Sequence, residues 1–137
     1  MRLRIATLAD YASISEPGKL NILGIFSTIW ALQEPIIHAQ MQLVLQFEFA
    51  GTETGEKEIK IALVDEDGRE LLSLSGTMGI PLSKNGEPVT VNQIIGFNNT
   101  KFPRFGCYEF KIWVDGEPCE TVPVAVLQMK RATASPS

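Results

Sequence analysis

The sequence predicts an all-β fold, a two-sheet antiparallel β-sandwich of about eight strands. Three observations lead there. Hydrophobic residues recur with period two along most of the chain, short turns carrying Pro-Gly or Asp-Gly separate the alternating runs, and no run has a convincing helical period. A strand of period two buries one face and wets the other, and stacking two sheets buries many such faces at once. At 137 residues the chain fits a single domain with a core of its own. Residues 1–129 are assigned to the sandwich, and 130–137, "KRATASPS", to a small polar tail expected to fray.

The opening run "RLRIATLADYA" reads as a strand, and "EPGK" after it as a turn in which Pro17 and Gly18 suit the two central positions of type II. The next run, "KLNILGIFSTIWAL", is apolar in both phases: Leu20, Ile22, Phe26 and Trp30 in one, Leu23, Ile25 and Ile29 in the other. It is either a central strand covered on both faces or a strand in which Gly24 marks a bulge that swaps the faces. Its β-branched content and its glycine oppose a helix. From residue 40 onward the alternation is plain. Met41, Leu43, Leu45, Phe47 and Phe49 form one apolar row, Ile59, Ile61 and Leu63 the next, then Leu72, Leu74, Met78 and Ile80, and then Val89, Val91, Ile95 and Phe97.

Two Asp-Gly pairs set the hairpins, because loop length fixes register and a one-residue slip reverses every side chain. A two-residue loop at Asp67 and Gly68 pairs Leu63 with Leu72 and Ile61 with Leu74, so the apolar faces coincide. At Asp115 and Gly116 a two-residue loop would turn Tyr108, Phe110 and Ile112 away from Val122, Val124 and Val126. A three-residue loop, Asp115 to Glu117, restores agreement and pairs Phe110 with Val122 and Tyr108 with Val124. In that register Cys107 lies opposite Ala125 and Cys119 opposite Trp113, roughly 20 Å apart along the strand at about 3.3 Å per residue. A disulfide needs Cα atoms within about 7 Å. The two cysteines are therefore expected to be separate free thiols, as a reducing compartment permits.

Composition excludes some functions. Hydrophobic residues are 45% and charged ones 20%, ordinary for a globular protein. A formal charge of -4 offers no basic footprint for a phosphate backbone, so nucleic acid and anionic membrane are not expected partners. Thr7, Asp10 and Ser13 interrupt the N-terminal apolar residues where a secretory signal would be continuous, and no apolar run reaches membrane-spanning length. The expected location is the cytoplasm.

No catalytic constellation stands out. His38 is the single histidine, expected in a loop between two strands, and no nucleophile motif accompanies it. Two separated cysteines and one histidine do not supply a zinc site. "GKL" at Gly18 lacks the flanking glycine and hydroxyl of a phosphate loop. The carboxylates of Asp65, Glu66 and Asp67 could face a calcium ion, although calcium takes six to eight oxygens and Asp-Gly is already explained as a turn. Trp113 falls on the outward phase with Glu109 and Lys111, and these three are the candidate interaction residues. The competing account of Trp113 is packing beneath a loop such as "NNTKFPRFG".

The segments "ADYASISEPGKLNILGIFSTIWA", "HAQMQLVLQFEF", "IKIALVDEDGREL" and "FGCYEFKIWVDGEPCETVPVAV" together resemble an uncharacterised family of small bacterial proteins carrying a domain of unknown function. The resemblance covers nearly the whole chain. It implies a bacterial source and an all-β fold, and no activity that could be carried to a residue. The closing hairpin, with Gly106-x-Tyr108-x-Phe110, is similar to the last strands of immunoglobulin-like and C2-like sandwiches. The leading expectation is a non-enzymatic protein-interaction module without cofactors, acting by self-association or as an adaptor. The alternative is a small-ligand or calcium-binding domain using end loops near Asp65 and Asp67.

Overall fold

A computed structural model describes residues 1–130 and shows an all-β chain of two sheets. Nine strands follow in order: β1 (Arg2–Ser15), β2 (Lys19–Phe26), β3 (Thr28–Ala31), β4 (Ile36–Phe49), β5 (Gly55–Val64), β6 (Glu70–Ile80), β7 (Val89–Phe102), β8 (Gly106–Val114) and β9 (Glu117–Gln128). The first sheet has the order β2-β1-β4-β7 and the second β3-β9-β8-β5-β6. The expected frayed tail lies, apart from Lys130, outside the described residues.

The rows of alternating apolar residues meet between the sheets. Met41, Leu43, Leu45, Phe47 and Phe49 of β4 are fully buried, and they face Ile61, Leu63, Phe110, Ile112, Val124 and Val126 from the other sheet. Burying side chains of this size is worth about 1.5–3 kcal/mol each, so the core rather than any staple holds the fold.

Two corrections concern the strands themselves. The run from Lys19 to Ala31 is two strands, not one, because Ser27 carries the chain from the edge of the first sheet to the edge of the second. The pairing is also not wholly antiparallel, since β3 runs parallel to β9 with Thr28 opposite Ala125 and Trp30 opposite Leu127.

The two alternatives for "KLNILGIF" are resolved by its position. β2 ends its sheet and is mostly exposed, so it is not a covered central strand. The faces do swap at Gly24, whose φ is 74°. Phe26 packs against the main core, whereas Ile22 and Leu20 pack with Ala9, Ala12, Val44 and Ile94 in a second cluster on the far side of the sheet. The register does not change across the swap, since Leu8 pairs with Phe26 and Ala12 with Ile22, so both strands turn over together where Asp10 faces Gly24. Beyond this point the β1–β2 hairpin folds back as a flap across the outer face of its own sheet. Asn92 of β7 donates from Nδ2 to the Gly18 carbonyl at the flap's tip (3.5 Å), and Ala12 N donates to the Gln42 side chain. The Asp10 carboxylate occupies the space that a Cβ on residue 24 would need, so glycine is required by contact as well as by conformation. A matching swap crosses β4 and β7: Met41 and Phe97 are buried inward above Asn99 (φ 53°), Ile36 and Phe102 below it.

The hairpins reach their expected registers by unexpected routes. Leu63 faces Leu72 and Ile61 faces Leu74, but the loop is residues 66–68, with Asp65 N donating to Arg69 O at 2.9 Å, and Leu71 is an extra residue that restores register. Phe110 faces Val122 and Tyr108 faces Val124, yet the loop is the two residues Asp115 and Gly116, both with positive φ as a type I′ turn requires. The offset is taken up at Cys119, a bulge residue turned toward the core rather than the outward partner of Trp113, which instead pairs with Pro118. The β1–β2 turn is likewise centred one residue early. Gly18 N donates to Ser15 O at 2.7 Å, so Glu16 and Pro17 are the central pair, and the bond between them is cis.

Candidate functional site

Three regions could carry function: the corner between the sheets at Tyr108, the outer face of β8, and the side formed by β2 and β3. At the corner, the Tyr108 hydroxyl donates to Arg104 O at 2.6 Å and accepts from Arg104 N at 3.3 Å, which ties the β7–β8 turn to the start of β8. Burial pushes the Tyr108 phenol above its ordinary pKa, against the opposing pull of that bond. Glu66 accepts from Cys107 N at 2.7 Å and Glu34 from Phe105 N at 2.9 Å, so two neighbouring loops are laced onto the same turn. Asp65 Oδ1 accepts from Asp67 N (2.9 Å) and Arg69 N (2.8 Å), which spends that oxygen on its own turn. Asp65, Glu66 and Asp67 on one side and residues 103–108 on the other line a shallow open cleft of about 130 Å³ between the two turns. No group of three or more His, Cys, Asp and Glu converges on a common point among the described residues.

On the outer face of β8, Glu109, Lys111 and Trp113 alternate along one side, as their phase requires. Trp113 is half-buried. Lys60, its partner on β5, places Nζ 5.2 Å from the ring centroid, a cation–π contact across the ladder. Lys60 thus lies over the indole.

The β2–β3 side carries several of the large exposed apolar residues, although Leu82 after β6 and Ile37 on β4 are exposed as well. Leu23 is 70% exposed, Ile25 66% and Trp30 57%, and Leu127 lies beside Trp30 on β9. Tyr11, paired with Leu23, is also exposed. Sequence reasoning placed Trp30 and Leu23 in a strand covered on one or both faces. The missed signal is charge: residues 20–33 contain no charged side chain, which is unusual for a strand meeting water.

His38 stands in β4, not in a loop, half-buried with its ring 5.7 Å from Phe26, and its Nε2 has no hydrogen-bond partner among the described residues. The two cysteines are unpaired, Cys107 exposed and Cys119 partly buried. Burial, and then the nearby Glu120, push the Cys119 thiol above its ordinary pKa.

The match that places the chain covers residues 4–127. The protein belongs to the family of unknown function DUF6941. Its two-sheet, nine-strand fold is thus that of a DUF6941 member. No curated protein matches the chain. Among solved structures, it is similar to the Pseudomonas fluorescens alkylpurine DNA glycosylase AlkC bound to DNA containing an abasic site analog. The TM-score is 0.51 at 11% identity, over 91% of this chain and 30% of that one. The chain therefore spans less than a third of that enzyme, and the likeness is one of fold. A glycosyl hydrolase family 2 member from Bacteroides cellulosilyticus matches at a TM-score of 0.41 and 13% identity, over 66% of this chain and 14% of that one.

Proposed function

We propose that this DUF6941 protein is a non-enzymatic, cytoplasmic protein-interaction module whose contact surface is the β2–β3 side of the sandwich. The observation that carries the reading is that Leu23, Ile25 and Trp30, on consecutive edge strands, are each more than half exposed, in a stretch without a charge between residues 20 and 33. Soluble proteins guard sheet edges with charges, prolines or short strands, and large apolar side chains left exposed at an edge are characteristic of contact sites. Trp113, Glu109 and Lys111 are a poorer surface for this purpose, because the indole is already covered by Lys60. The net charge of -4 favours a protein partner over nucleic acid or an anionic membrane, and two unpaired thiols are compatible with a reducing compartment.

The finer fold type is part of the same proposal. An immunoglobulin-like assignment is supported by the split of β4 and β7 into one sheet and β5, β8 and β9 into the other, and by the Tyr108 hydroxyl bonded back to the Arg104 backbone at the corner before β8. Immunoglobulin-like sandwiches serve many functions, so this adds no activity.

A photo-crosslinking residue placed at Trp30 in living cells tests the contact surface, with the same residue at Thr77 on β6 as control. A discrete adduct from position 30 and none from position 77 is expected. No adduct from position 30 under conditions that capture known complexes would remove this reading.

A further inference from the structure

The connection between β6 and β7 holds the one Asn-Gly pair of the chain, Asn85 and Gly86. Glu87 N donates to Lys84 O at 3.3 Å, and the two residues between them have φ values of 60° and 73°, so they form the central pair of a type I′ turn. Both are exposed. The turn uses the N–H of Glu87 and leaves that of Gly86 without an acceptor among the described residues. Within residues 81–88 the side-chain hydrogen bonds are those of Ser83, to the Lys84 and Glu87 carbonyls, and the Asn85 amide takes part in neither. The type I′ turn at Asp115 and Gly116 is the contrast. There the carboxylate accepts from Glu58 N at 2.8 Å and pairs with Lys57 Nζ at 3.5 Å.

Asparagine is chemically labile where the next backbone nitrogen can reach its side-chain carbonyl carbon. Such attack needs a side-chain amide that nothing holds, an N–H free to lose its proton, and no side chain crowding that nitrogen. Asn85 supplies the first and Gly86 the other two, in open space on the side where a Cβ would stand. Base takes the Gly86 N–H proton, the nitrogen bonds to Asn85 Cγ, and the bond from Cγ to the side-chain nitrogen breaks, releasing ammonia and leaving a five-membered succinimide. Water then opens the ring. Attack at the side-chain carbonyl gives aspartate, whereas attack at the main-chain carbonyl gives isoaspartate, whose chain runs on through Cβ and Cγ. Nothing is oxidised or reduced: amide and water become acid and ammonia.

We propose that Asn85 is a site of spontaneous deamidation, and that its isoaspartyl product unseats the β6–β7 connection from the β4–β5 turn. A Cβ on Gly51 would overlap the carbonyl oxygens of Gly86 and Glu87, so the two connections touch backbone to backbone where both cross between the sheets. An isoaspartyl link adds one methylene to the main chain between residues 85 and 86, about 1.5 Å of contour. The turn from Lys84 to Glu87 then cannot close as before, and its carbonyls have no room to move toward Gly51. The new carboxylate also makes the formal charge of -4 one unit more negative.

The test is to age the native protein in mildly alkaline buffer at body temperature and map it by fragmentation mass spectrometry. Position 85 should gain the mass of one amide-to-acid conversion and accept label from a methyltransferase specific for isoaspartyl carboxyls. Asn21, Asn92, Asn98 and Asn99, all within strands, should remain amides. Native protein in which Asn85 stays an amide, or in which the strand asparagines convert as fast, overturns the assignment. Hydrogen exchange reads the seat. The isoaspartyl fraction should exchange the amides of residues 50–54 and 84–87 faster than unaged protein. Freshly made Asn85→Asp, with the same added charge and no extra methylene, should exchange like the wild type. Unchanged exchange in the isoaspartyl fraction, or equal loosening in Asn85→Asp, overturns the unseating.

Discussion

Cys107 and Cys119 share a hairpin but not an environment. Cys107 is exposed at the start of β8, whereas Cys119 is the bulge residue of β9, partly buried against the core. Burial raises the Cys119 pKa and Glu120 raises it further, so near neutral pH less of it is the reactive thiolate. A small maleimide added to the native protein at pH 7 should modify Cys107 about tenfold or more faster than Cys119, as read by peptide mass analysis. The difference should disappear in denaturant, where two thiols react alike. Equal rates in the native state would place Cys119 outside the core. At the same scale, Trp113 illustrates how a residue's phase can be legible while what lies over it is not. Its outward direction is legible from alternation along β8, but the lysine that covers it comes from β5 and becomes visible only once β5 and β8 are known to be neighbours.

At the scale of elements, apolar faces rather than turns decided the register. Asp-Gly is compatible both with a type I′ pair and with a three-residue loop ending in a left-handed glycine, so the dipeptide left the loop length open. The faces admitted one register, and bulges at Leu71 and Cys119 reconciled the turns with it. That is why the pairings Leu63–Leu72 and Phe110–Val122 were readable in the sequence while the loops were not. The break at Ser27 and the exposure of Trp30 were not readable either, because whether a strand ends a sheet depends on topology and not on its own residues. Gly24 was readable as a point of change, and it supports a quantitative prediction. Gly24→Ala forces a Cβ residue into the left-handed region and against the Asp10 carboxylate, and should cost about 2 kcal/mol or more in urea unfolding. Adding Asp10→Ala removes the clash but not the backbone cost, so the double variant should recover part of the loss. A Gly24→Ala variant as stable as wild type would show that the flap can leave its seat without penalty.

For the whole molecule, the distribution of charge sets how association should respond to salt. The chain carries a net charge of -4, none of it contributed by residues 20–33, and the carboxylate beside the β2 stretch is that of Asp10 against Gly24. A contact made chiefly by Leu23, Ile25 and Trp30 has little for salt to weaken. Raising sodium chloride from about 0.05 to about 0.5 M in a cell lysate, which shortens the Debye length several-fold, should leave the yield of the adduct from position 30 largely unchanged. A yield that falls steeply with salt would mean that the contact is made by charged residues elsewhere, with Glu109 and Lys111 among the candidates.

The parallel pairing of β3 with β9 also has a meaning in time. β9 follows the other eight strands in the chain, yet it lies between β3 and β8 in its sheet. While the polypeptide is being made, β3 has no ladder partner until the final strand leaves the ribosome, and the apolar residues around Trp30 wait unprotected beside it. Pairings between distant segments form slowly. The newborn chain therefore passes through a stage with half-built edges, in which premature encounters between nascent copies compete with the arrival of their own last strand.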